Sequence, residues 1–132
     1  MTWNITELAT TLNKESLWEV KENDNTILIT NNDGIEAFLA ISGEQILVEI
    51  LLFSEENVSD IAGLNAFILK THKLFPLSSI GINQIEQGNY YVAFGALSSH
   101  STEESINIEI NTLFNNVEGF LDIYQSYLKE SE

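Results

Sequence analysis

Few groups in this chain react. It holds two histidines, His72 and His100, and neither cysteine nor arginine. Thiol nucleophiles, thiolate metal sites and disulfides are therefore excluded. His72 lies four residues after Ile68, near the end of an apolar run with helical spacing. As a proton shuttle it needs an orienting carboxylate and a pocket. As the imidazole at a helix C-terminus it needs only the dipole and the last carbonyls, and this plainer reading is favoured. Ser98, Ser99, His100, Ser101, Glu103 and Glu104 crowd hydroxyl, imidazole and carboxylate into one stretch. Nucleophilic catalysis needs such groups to converge in space, which crowding along the chain does not provide. Ser101 with Glu104 already reads as a capping box. One catalytic alternative stays open, an enzymatic or small-ligand site in which His72, Ser78 and Tyr90 meet in a cleft.

Metal and phosphate chemistry find less support. Two distant histidines do not supply a typical zinc ligand set. Asp24, Asp33 and Glu36 near turns do not keep the spacing of a calcium-binding loop. Gly81, Gly88 and Gly95 fall in or beside expected strands and match no phosphate-binding fingerprint. Glu55-Glu56 and Glu103-Glu104 sit at helix starts, where the dipole accounts for them. No cofactor and no metal is expected.

What remains is contact surface. In an extended segment Tyr90, Val92 and Phe94 share one face while Tyr91 and Ala93 point the other way. One of these faces must be core, and the other offers aromatic rings of the kind enriched at interfaces. Ile46, Val48, Ile50 and Leu52 alternate along one side of a strand, and Leu47, Leu51 and Phe53 on its other side are apolar too. Tyr90, Tyr91, Phe94, Leu51 and Phe53 are accordingly the candidate partner-binding residues. Asn65, between Ile61 and Ile68 on the inner side of a helix, is either a satisfied core amide or a contact to a partner backbone. It joins His72 and Ser78 as a candidate functional polar residue.

The elements that position these residues follow from periodicity and turn chemistry. Asn4 followed by Glu7 starts a short helix with Trp3, Leu8 and Leu12 on one side. Strands follow, separated by Asn23-Asp24-Asn25, by Asn31-Asn32-Asp33-Gly34 and by Ser42-Gly43, all turn-forming clusters. A helix over 58–75, capped by Asn57 or Ser59, ends at Pro76. Strands over 79–85 and 90–97 turn at Gln87-Gly88-Asn89. A last helix from Ser101 carries an apolar stripe from Ile106 to Leu128 and, uninterrupted, spans about 40 Å. Gly119 is placed to kink or shorten it. The order α-β-β-β-(β)-α-β-β-α predicts an α+β fold, a mainly antiparallel sheet with helices on one face. At 132 residues a single domain over 1–132 is expected.

Charge narrows the partners. Twenty acidic residues against five lysines give a formal net charge of −15. Phosphate recognition requires clustered positive charge, so nucleic acid and anionic membranes are excluded as partners. The acidity serves solubility, and it steers toward a basic protein. The start of the chain has no positive segment followed by an apolar one, so a cytoplasmic location without membrane insertion is expected.

Two segments carry a resemblance. Thr71-His72-Lys73-Leu74-Phe75-Pro76-Leu77-Ser78-Ser79 with Gly81-Ile82, and Tyr90-Tyr91-Val92-Ala93-Phe94-Gly95-Ala96-Leu97-Ser98, resemble the YjfI family of small bacterial proteins, a domain of unknown function. The likeness covers essentially the whole chain and names no reaction. It implies a neighbouring phage-shock-type membrane-stress protein as partner. The order of elements is also similar to type III secretion chaperones, which implies a homodimer that holds a segment of another protein.

Overall fold

The computed structural model describes residues 2–129. Among these residues three α-helices pack on one face of a six-stranded antiparallel sheet. The elements are α1 Ile5–Leu12, β1 Trp18–Asn23, β2 Thr26–Asn31, β3 Glu36–Ser42, β4 Gln45–Ser54, α2 Ile61–Thr71, β5 Ser79–Ile85, β6 Gly88–Ser98 and α3 Glu103–Tyr124. Strand order is β1-β2-β3-β4-β6-β5. The expected α+β architecture, with its helices segregated to one side, is the architecture found.

Local chemistry explains most boundaries. The Asn4 side chain accepts from Glu7 N and caps α1. Asp24 at φ 46° and Gly43 at φ 61° close the first and third hairpins. In the second, the Asn31 side chain accepts from Asp33 N and Ile35 N while Gly34 takes φ 83°. Such positive φ values suit Asn, Asp and Gly.

Strand parity then builds the core. Ile27, Ile29, Ala37, Leu39, Ile46, Val48 and Ile50 are buried on the helix-covered face. Leu8 and Leu12 of α1 cover it at one end, and Ile106, Ile110, Leu113, Val117 and Phe120 of α3 cover the centre. Near the C-terminus, Lys129 N donates to Asn57 O and Ser59 N to Tyr127 O, so the last described residues are tied to the segment before α2.

Five local expectations are corrected. Asp60, rather than Asn57 or Ser59, caps α2 by accepting from Gly63 N, so the helix starts at Ile61. It ends at Thr71, with 72–74 forming a 3₁₀ turn. Thr102, rather than Ser101, caps α3 by accepting from Ser105 N. The 22 residues of α3 span about 33 Å and run unbroken through Gly119. The fifth correction concerns β4. Its register against β6 shifts between Leu51 and Phe53. The extra residue reverses side-chain parity, so Leu51 points away from the helices and Phe53 points toward them.

Candidate functional site

The free face of the sheet is the first site candidate. Successive strand partners put Lys21, Leu28, Phe38, Glu49, Phe94 and Ser79 in one row across all six strands. The next rows bring Ala40, Leu47 and Ala96 together on one side, and Leu51, Val92 and Gly81 on the other. Phe38 is 50 % and Leu51 49 % exposed. Among the described residues no helix covers this face. Val92 is buried between its neighbours yet stands outside the main core.

Two glycines make room for the aromatic rings here. A Cβ at Gly81 would lie 3.2 Å from Phe94 Cε1, and one at Gly88 would lie 3.3 Å from Tyr90 Cε1. Among these apolar side chains stands Glu49, half-buried, whose Oε2 accepts from Asn83 Nδ2 at 3.3 Å.

Parity sends Tyr91 the other way. Its ring is 1 % exposed, lies 5.1 Å from that of Phe53, and its hydroxyl donates to Asn65 Oδ1 at 2.6 Å. Burial, and after it the nearby Glu55 carboxylate, pushes the Tyr91 phenol up. Asn65 is thus hydrogen-bonded within the fold. Of the five aromatic and aliphatic candidates, Tyr90, Phe94 and Leu51 lie on the free face, and Tyr91 and Phe53 pack on the helix side.

A second candidate is the groove between α2 and β5. Asn65, Ile68, Leu69, Ile80, Ile82 and Tyr91 line about 270 Å³. Leu69 is 80 % and Ile82 45 % exposed. β5 pairs only with β6, so its outer edge is unpaired among the described strands.

The polar candidates are engaged separately. His72 Nε2 accepts from Ile80 N at 3.1 Å, which makes this nitrogen the unprotonated one. Ser78 is buried, and its Oγ accepts from Asn116 Nδ2 at 2.9 Å. Asn116 Nδ2 also donates to Pro76 O, so α3 clamps both sides of Leu77, a leucine held at φ 71°. Tyr90 belongs to the free face. The structure therefore does not bring His72, Ser78 and Tyr90 into one hydrogen-bonded set. In the 98–104 stretch, Ser98 Oγ accepts from His100 N and Thr102 Oγ1 from Ser105 N, which uses these hydroxyls in turn and cap.

Leu28, Phe38 and Glu49 belong to the candidate free face and were not singled out from sequence, and Leu47 was read as apolar without being made a candidate. The signal was present, because Ala37 and Leu39 alternate with Phe38, and Ile46, Val48 and Ile50 alternate with Leu47 and Glu49. It could not say which side the helices take.

A family model described as "Uncharacterized protein conserved in bacteria (DUF2170)" matches residues 2–128. The uncharacterized protein YjfI of Escherichia coli K12 is 34 % identical over 131 residues, covering 96 % of this chain and 98 % of its own. Among solved structures, YbjN from E. coli, described as a candidate transcription regulator, aligns with a TM-score of 0.78 at 14 % identity, over 99 % of this chain and 98 % of its own. A chain of the HopA1–SchA chaperone–effector complex aligns at 0.62 with 16 % identity over 89 % and 90 %. A chain of the ExsC–ExsE complex aligns at 0.64 with 13 % identity over 98 % and 100 %. At such identities the structural likeness is one of fold.

Proposed function

This chain belongs to the DUF2170 family of bacterial proteins, and from that premise we propose that it is a non-catalytic protein-binding module, a chaperone-like or regulatory adaptor for another bacterial protein. The observation that carries the reading is the free sheet face, where Phe38 and Leu51 are half exposed beside Phe94. Exposed apolar side chains grouped in this way on one face mark interaction sites. The fold likeness to a chain solved in a chaperone–effector complex supports it. The partner is a protein rather than nucleic acid, because the net charge of −15 repels phosphate. A phage-shock-type membrane-stress protein is the first candidate, on the strength of the family resemblance alone, and the setting is cytoplasmic. Among the described residues no helix is long and apolar enough to cross a membrane.

The reading includes a homodimer formed at the β5 edge. Natural sheets guard free edges with charge or proline. β1 at one edge carries Glu19, Lys21 and Glu22, whereas Ser79–Ile85 carries no charge and no proline. Antiparallel pairing of β5 with its own copy satisfies a two-fold axis, with Leu69 and Ile82 of each chain packed beside it.

The binding reading is tested by placing a photoreactive amino acid at position 38 or 51 of the full chain in its native cell. Illumination is expected to give a covalent adduct with another protein at both positions. The exposed Ile108 on α3 serves as the control position. No adduct at 38 or 51, in a chain that keeps its circular dichroism, overturns the reading.

A further inference from the structure

We infer that the free sheet face receives an amphipathic helix of the partner protein, and that this helix carries a lysine or arginine within its apolar stripe to meet Glu49. The inference rests on the protein-binding reading above and specifies what the partner must present. Glu49 is central to it. Its strand neighbours are Phe38 on β3 and Phe94 on β6, so a carboxylate stands between two aromatic positions. A carboxylate under an apolar cover loses water and must find a compensating partner. Inside the chain, Asn83 supplies a neutral amide at 3.3 Å, a long bond for an ionised acceptor. The lysine of the same row, Lys21, stands on edge strand β1, three strand spacings or about 14 Å away. Covering this face with apolar groups alone would strand the carboxylate, and a cation from the partner answers it.

Size and shape favour a helix. From Leu28 to Phe94 the apolar row crosses three strand spacings, about 14 Å, which roughly ten helical residues match at 1.5 Å each. The face lies on the side of the sheet opposite α1, α2 and α3, so a docked helix completes a three-layer arrangement. A second copy of this chain fits poorly here. It would set further carboxylates, Glu36 and Glu49 among them, toward Glu49.

The test uses the full chain and two labelled designed helical peptides of about 16 residues, long enough to cross the sheet. One carries a single lysine at the centre of a leucine stripe and the other carries glutamate there. Fluorescence anisotropy is expected to show the lysine peptide binding at least about ten-fold tighter, the scale of one charge-assisted hydrogen bond. Glu49→Gln is expected to reduce that preference to about two-fold or less, and Leu51→Asp to weaken both peptides. Equal binding of the two peptides overturns the inference. So does a preference that survives Glu49→Gln, binding indifferent to Leu51→Asp, or no binding of either peptide. Adducts at positions 38 and 51 together with any of these outcomes leave the binding module standing and remove only the basic helix. Adducts formed solely with a second copy remove the helix as well.

Discussion

Glu109 is the acidic side chain of α3 that the fold turns inward, 5 % exposed, and among the described residues its Oε2 has no hydrogen-bond partner. It lies over Gly95 of β6, where an added Cβ would come 2.5 Å from Oε2, so the glycine makes the space the carboxyl occupies. Burial pushes its pKa up from the ordinary glutamate value of 4.5. The consequence for stability has a definite sign. Below the ordinary value the carboxyl is protonated in folded and unfolded chains alike and contributes nothing. Above it the unfolded chain releases the proton first, so stability falls as pH rises toward the raised value and then levels. Glu109→Gln removes this titration while keeping the shape. The variant is expected to unfold at higher urea than the natural chain at pH 7, with the difference closing toward pH 4. A difference that stays constant with pH would show that burial does not hold the proton on Glu109. The Tyr91–Asn65 pair needs no such adjustment, because the buried phenol donates to an amide oxygen and neither group carries charge.

At the scale of elements, Gly119 separates intrinsic propensity from packing. Propensity alone says that alanine in mid-helix stabilises by about 1 kcal/mol. Here a Cβ would lie 2.5 Å from Phe75 Cε1, and the Phe75 ring is already packed 4.4 Å from that of Phe120. Overpacking costs about 1–3 kcal/mol, which offsets or exceeds the propensity gain, so Gly119→Ala is expected to lower the free energy of unfolding by about 0–2 kcal/mol rather than raise it. Urea denaturation measures this, and a rise in stability would mean that Phe75 moves aside freely. The glycine was visible in the sequence as a weak point of a helix, and its real task, admitting an aromatic ring, was not, because that ring arrives from the far side of Pro76. The same division runs through the whole chain. Hairpins and the first cap depend on residues a few positions apart, so Asn4, Gly34 and Gly43 could be read directly, whereas before α2 and α3 several capping side chains stand side by side and Asp60 and Thr102 take the caps. The parity reversal before Phe53 could not, because Leu51, Leu52 and Phe53 are all apolar and alternation carries no signal there. Tyr90 and Phe94 were legible as one face, yet only the packing of α3 decides that theirs is the open one.

At the scale of the molecule, two apolar surfaces on one acidic body should answer salt in opposite ways. Pairing of β5 with its own copy brings together two chains of −15, and the repulsion between them is screened as ions are added. The homodimer is therefore expected to tighten with salt. A basic partner on the free sheet face is drawn in by the same charge, so its association weakens with salt. Light scattering at low and high salt reads the first, and Ile82→Asp with Leu69→Asp supplies its control. Both side chains are exposed in one chain, so the fold should survive, while the added charges guard the edge and oppose the pairing. The expected result is a fall from the mass of two chains to that of one, with circular dichroism unchanged. A natural chain that is monomeric at every salt concentration would remove the dimer. A dimer indifferent to both substitutions would move it to a surface other than the β5 edge.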